Sequence, residues 1–166
     1  PQVTTPAYIR QVLEEKNLVG NLFLFDIQRK VIKVLKYSEY LSTRYHVVVA
    51  NPPYLGSSGL NLKTKTFLEK EYPDGKVDLF SAFIFRNFIL TLKRGYLGVV
   101  TPFVWMTLLS FEKMRKRILE TKTICNLVKP SYTSFFSSAI VPLVSFIVKN
   151  SYEEISGDYF DLGYLG

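Results

Sequence analysis

Four consecutive residues, Asn51-Pro52-Pro53-Tyr54, combine groups suited to chemistry on an amine. They follow His46-Val47-Val48-Val49-Ala50, an apolar run that reads as a fully buried strand. Two prolines cannot continue a central strand, so the strand must stop there. A polar amide, two carbonyls and an aromatic ring are then presented just past a strand's carboxyl end, where open α/β sheets bind ligands. The N6 amine of adenine is a poor nucleophile because its lone pair is delocalised into the ring. A site that accepts hydrogen bonds from both N–H groups draws the nitrogen toward tetrahedral geometry and localises that pair. Asn51 offers its side-chain oxygen as one acceptor. Pro52 offers its backbone carbonyl as the other, held by a residue with fixed φ and no N–H. Tyr54 offers a face on which a base can stack, for roughly 1–3 kcal/mol. A methyl donor must lie in line with the nitrogen, so positioning supplies much of the catalysis and no metal is required. The plainer reading of the same four residues is a strand-ending turn with a buried tyrosine.

The surrounding pattern supplies elements to position them. Thr5 to Lys16 reads as a short helix, with Tyr8, Val12 and Leu13 on its apolar side. Leu22 to Phe25 is strand-like, and Asp26 after it reads as a helix N-cap. Ile27 to Leu41 has helical spacing at Val31, Ile32, Leu35 and Leu41. Residues 55–76 read as a long polar loop with a short helix at Thr66 to Lys70, and loops of that length are often functional. Val77 to Leu92 reads as a mostly buried helix, leading to a strand at Tyr96 to Thr101. Strand, helix, strand implies a right-handed parallel crossover. Phe111 to Glu120 is an amphipathic helix, and Ile124 to Val128 and Ile140 to Val148 are two further strands. Asp78 either caps its helix or approaches the substrate, and Trp105 is either a pocket wall or plain core.

Composition bounds the classes available. The 166 residues suggest one domain. One cysteine, Cys125, excludes a disulfide framework within the chain and fits a reducing, cytoplasmic setting. It reads as a small buried apolar residue. With His46 as the only histidine, no ordinary zinc site can be assembled from these two types. Val77 to Leu92 is too short and too polar for a membrane span. Net charge is +7 but unevenly spread. Residues 27–130 carry 18 basic and 7 acidic side chains, whereas residues 150–166 carry four acids and no base. The basic middle suits a polyanion such as double-stranded DNA, with Lys63, Lys65 and Lys76 in the polar loop as candidate phosphate contacts. Lys113, Arg115, Lys116 and Arg117 read equally well as a solvated helix face.

Residues Tyr45 to Tyr54 resemble motif IV of the amino-group DNA methyltransferases of the adenine N6 type. Asp78-Leu79-Phe80-Ser81-Ala82-Phe83 resembles motif V, and Gly95 to Pro102 resembles motif VI. Phe135-Phe136 followed by Ile140 to Val148 resembles motif VIII. The stretch Leu55 to Gly75 resembles the large methyltransferases of BREX-type phage defence and restriction-modification. The usual aspartate at position 46 is His46 here. The resemblance implies an α/β fold: the second half of a Rossmann-like S-adenosylmethionine-dependent methyltransferase sheet, mostly parallel with a C-terminal antiparallel strand. It implies S-adenosylmethionine as cofactor and methylation of a flipped adenine in DNA. It implies that Asn51, Pro52, Pro53 and Tyr54 are catalytic, and that Asn51, Phe80 and Phe83 lie by the cofactor, although Phe80 and Phe83 read at least as well as plain core packing. It also implies that one phenylalanine, Phe135 or Phe136 with Phe135 slightly preferred in our reading, sandwiches the base against Tyr54, although loop aromatics also fold back on cores.

No Gly-x-Gly pattern precedes Asn51, where the family's cofactor loop would stand; Gly20 is alone there. The expected organisation is therefore a connecting helical segment (1–45), a catalytic core (46–150) and an acidic tail (151–166). The cofactor loop and the target-recognition domain are expected from a remainder of the methyltransferase, with an open sheet edge beside Val47 to Ala50. Protein-glutamine and ribosomal-RNA methyltransferases share the Asn-Pro-Pro-Tyr sequence and remain alternatives. So does a non-catalytic interaction module.

Overall fold

A computed structural model describes residues 5–16, 22–131 and 142–163. The chain divides into two units, residues 1–43 and 44–166.

The first unit holds helices α1 (Pro6–Glu14) and α2 (Leu22–Ser42). The Thr5 side chain accepts from the Tyr8 amide and Pro6 opens the helix, a favourable start for α1. Buried Gln28 on α2 donates to the carbonyls of Leu13 and Lys16 at the end of α1, so backbone acceptors left open there find a partner. Leu22 to Phe25 belongs to α2 rather than to a strand. Asp26 is correspondingly not an N-cap: it lies inside α2 and pairs with Lys30 one turn on, at 2.6 Å. Tertiary pairing, absent here, would have been needed to make that short apolar run a strand.

The second unit is an α/β layer. Strand β1 (Tyr45–Ala50) leads through a 3₁₀ turn at Ser57–Gly59 to helices α3 (Leu62–Glu71) and α4 (Leu79–Leu90). Strand β2 (Thr91–Pro102), two 3₁₀ turns at Phe103–Met106 and Leu109–Phe111, and α5 (Glu112–Thr121) follow. Strands β3 (Thr123–Lys129), β4 (Leu143–Lys149) and β5 (Asp158–Asp161) complete it. The sheet order is β1-β2-β4-β3-β5. The pairs β1–β2 and β3–β5 are parallel, and β2–β4 and β3–β4 are antiparallel. The expected antiparallel strand is β4, inserted between β2 and β3, so the sheet is mixed. The acidic segment after residue 150 is not merely a tail, because β5 adds an edge strand there. Gly157 precedes it; any side chain at that position would overlap the Ile124 carbonyl.

One face of the sheet carries the core. Leu97, Val99, Val144, Phe146 and Val148 alternate inward and pack on Phe80, Ile84, Phe85 and Phe88 of α4 and Met114 and Ile118 of α5. Each such side chain contributes about 1.5–3 kcal/mol of burial. β1 is not the fully buried strand its sequence suggests. It is an edge strand, and Val47 and Val49 are 59% and 79% exposed. Only Val48, Ala50 and their neighbours on the other face pack on the core. An apolar run reports that both faces can be covered, not that these residues cover them. The remaining differences are smaller. The short helix expected at Thr66 to Lys70 is the longer α3, and Cys125 is half-buried. Among the described residues no helix is long and apolar enough to cross a membrane.

Candidate active site

β1 ends at Ala50, and Asn51 to Leu55 run on without regular structure at the carboxyl end of the strand. Asn51 and Pro53 are exposed, Pro52 is buried and Tyr54 is half-buried. Two sets of bonds fix this turn. The first runs through Tyr54. Its hydroxyl donates to Asn51 Oδ1 at 2.7 Å and lies 3.2 Å from a second acceptor, the Val100 carbonyl of β2. The ring stands edge-on to Phe80, centroids 6.4 Å apart, and Phe80 stacks on Phe111 at 5.4 Å. Burial pushes the Tyr54 phenol above its ordinary pKa, so it remains a donor at neutral pH.

The second set runs through Asp78. Its Oδ1 accepts from the Phe80 amide at 3.1 Å and from the Leu55 amide at 3.0 Å. The Ser81 hydroxyl accepts in return from the Asp78 amide, which completes a capping box at the start of α4. Leu79 N donates to the Leu55 carbonyl and Ser57 N to the Val77 carbonyl, so the chain just beyond Tyr54 is stitched to the helix entrance. The Asp78 carboxyl is raised by desolvation, against which its backbone donors act. Of the two roles open to Asp78, the structure shows the cap.

Trp105 is core: it is 2% exposed, donates to Thr101 Oγ1 at 3.1 Å and packs on Phe146 at 5.0 Å. Arg115 is not simply a solvated cation, since its guanidinium donates to the Trp105 and Leu108 carbonyls at 2.7 and 2.6 Å. It thereby holds the turns that follow β2.

The structure thus brings Asn51, Pro52, Tyr54 and Phe80 to one end of the parallel β1–β2 pair. Phe80 is sealed in the core at 0% exposure, whereas Phe83 on the same helix is 42% exposed. Lys63 and Lys65 lie on α3 and Lys76 precedes α4; Lys63 and Lys76 are exposed and Lys65 is partly covered. Tyr132, Phe135, Phe136 and Ile140 lie outside the described residues. Sequence reasoning missed Val100, because a carbonyl contact leaves no mark on residue type. For Asp78 the sequence left cap and substrate roles open; the signal that favours the cap is the Asp-x-x-Ser spacing to Ser81.

Phe83 is an exposed aromatic on α4, and among the described residues no strand pairs with the outer edge of β1. Among the described residues no three His, Cys, Asp or Glu side chains gather as metal ligands. A cleft of about 710 Å³ lies at the other end of the strands, where Thr91 and Lys93 open β2, and is lined also by Arg44, Phe88, Lys122 and Asn150. Val100, beside the Asn51 turn, stands at the opposite end of that strand.

The family described as Eco57I restriction-modification methylase matches residues 4–136. The chain is 34% identical over 134 residues to the adenine-specific methyltransferase BrxX of Escherichia coli O9:H4 (strain HS), covering 76% of this chain and 11% of that protein. It is 31% identical over 124 residues to the adenine-specific methyltransferase PglX of Lacticaseibacillus casei (strain Zhang), covering 74% and 10%. The chain therefore spans about a tenth of the length of these relatives. Among solved structures, a Listeria monocytogenes protein assigned to the class I S-adenosylmethionine-dependent methyltransferases superposes with a TM-score of 0.55. Its identity is 20%, over 74% of this chain and 38% of that one, a likeness of fold.

Proposed function

Because the chain belongs to the Eco57I restriction-modification methylase family, we propose that it supplies the amine-activating half of a site for methyl transfer to N6 of adenine in DNA. The observation that carries this reading is the turn at Asn51 to Tyr54. It places a side-chain amide oxygen and a proline carbonyl at the carboxyl end of a parallel strand pair, tied by Tyr54 to the next strand.

Each residue has a role that follows from its chemistry. Asn51 Oδ1 accepts one N–H of the target amine and the Pro52 carbonyl accepts the other. These two bonds hold the nitrogen with its lone pair facing away from the ring plane. The Tyr54 ring offers a stacking surface to an extruded base. Phe135 or Phe136 is the candidate for the opposite face. Bound beside this turn, S-adenosylmethionine supplies the electrophilic methyl carbon. Phe83 is the exposed aromatic available to its adenine, and Phe80 supports the turn from within the core. Lys63, Lys65 and Lys76 contact DNA phosphates in this reading. The open edge of β1 receives a strand from the segment that carries the cofactor loop, and target recognition lies elsewhere in the same protein. The family supports a role in restriction-modification or phage defence, and a cytoplasmic setting suits such a role.

The test is transfer of a radiolabelled methyl group from S-adenosylmethionine to DNA by the complete protein, followed by nucleoside analysis. N6-methyladenine is the expected product. Label on protein glutamine or ribosomal RNA, with none on DNA, would overturn the substrate assignment.

A further inference from the structure

We propose that the Tyr54 hydroxyl is a positioning group for methyl transfer, holding the Asn51 side-chain oxygen in the orientation that receives the target amine. The proposal rests on the functional reading above and adds a second role to a residue otherwise assigned only to stacking.

A side-chain amide has one accepting end and one donating end. Rotated by half a turn, Asn51 would present N–H groups to an amine that also carries N–H groups, and the site would repel its substrate. Packing does not settle the orientation, because the Asn51 side chain is exposed. A hydrogen bond from a fixed donor does. The Tyr54 hydroxyl directs its one hydrogen to Asn51 Oδ1 at 2.7 Å, the shorter of its two contacts, and a hydroxyl so committed meets the oxygen end of the amide.

The donor is itself held at two points. Its ring makes a T-shaped contact with Phe80, which is fully buried and stacked on Phe111. Its chain neighbour Leu55 is bound by Asp78 at 3.0 Å. The hydroxyl therefore transmits the rigidity of the core and of the helix entrance to an amide that has none of its own. A carbonyl oxygen has two lone pairs, so accepting from Tyr54 leaves one for the target amine.

Stacking and positioning separate on substitution. Tyr54→Phe keeps the ring and removes the strut. Tyr54→Ala removes both. In the complete protein, methyl transfer to plasmid DNA lacking N6-methyladenine should show kcat reduced roughly three- to tenfold in Tyr54→Phe. KM for DNA and the melting temperature should match wild type. Tyr54→Ala should raise KM as well. A Tyr54→Phe enzyme with unchanged kcat overturns the proposal, and so does one whose KM rises as much as that of Tyr54→Ala. A wild-type enzyme that leaves adenine unmethylated removes the functional reading itself, and the positioning role falls with it. That outcome is visible before any variant is compared.

Discussion

On the proposed reading, replacing Asn51 by alanine in the complete protein should remove one of two amine acceptors and little else. In the ground state the side chain is exposed and receives one bond, from Tyr54. When Asn51 is lost, the Tyr54 hydroxyl can still donate to the Val100 carbonyl 3.2 Å away, so no buried donor is orphaned. The cost to folding should stay below about 1 kcal/mol. The cost in the transition state is larger. As the nitrogen gains positive charge its N–H groups become stronger donors, and the bond to Asn51 Oδ1 becomes charge-assisted. Loss of one preorganised partner at a developing charge typically costs about 2.7–4 kcal/mol, or roughly 10²–10³ in rate. Single-turnover transfer of a radiolabelled methyl group, at saturating DNA, isolates this step from binding. A variant within about threefold of wild type would refute the acceptor role. So would an equal loss of rate accompanied by a collapsed melting transition, since the loss would then lie in folding.

Reversing the charge of Lys63, Lys65 and Lys76 should weaken DNA binding across sequences and flatten its dependence on salt; an unchanged salt slope would remove them from the phosphate contacts. Asp78→Ala should cost roughly 1–2 kcal/mol, through loss of the α4 cap and of the acceptor for Leu55 N, and hydrogen exchange should quicken at Leu55 and Phe80. Burial raises the Asp78 pKa, so the native state takes up that proton at higher pH than the unfolded chain does. The carboxylate thus lowers stability above the raised value, and the penalty fades as pH falls through it. Asp78→Asn, which still caps, should flatten that part of the profile, whereas parallel urea-unfolding profiles for the two proteins would count against it. Val49, 79% exposed on the edge strand, should drive self-association of the isolated chain, and Val49→Lys should reduce it in sedimentation experiments.

Much of the geometry of the Asn51 turn was legible because its constraints are local. Proline chemistry ends β1 after Ala50 whatever lies around it, and Asp78 with Ser81 announces the start of α4. The aromatic run Phe80 to Phe88 could only be a buried helix once it was too long for a strand of that composition. Asp26 was misread for a related reason. A short apolar stretch before an acid fits a strand and cap as well as it fits the first turn of α2, and the pairing with Lys30 appears only when the helix is built.

Sequence alone therefore determined the chemistry on offer: an amide oxygen, a rigid carbonyl and a ring, delivered together past a strand end. Those properties belong to residue types and to their adjacency in the chain. Tertiary structure decided which of them are held, and by what. β1 became an edge because among the described residues only β2 pairs with it, and Val47 and Val49 are exposed because they point to the sheet face opposite the core. The Val100 carbonyl met Tyr54 because parallel pairing brings the ends of β1 and β2 together across 46 residues of chain. A backbone carbonyl is the same group in every residue, so only the fold could say which one would be there.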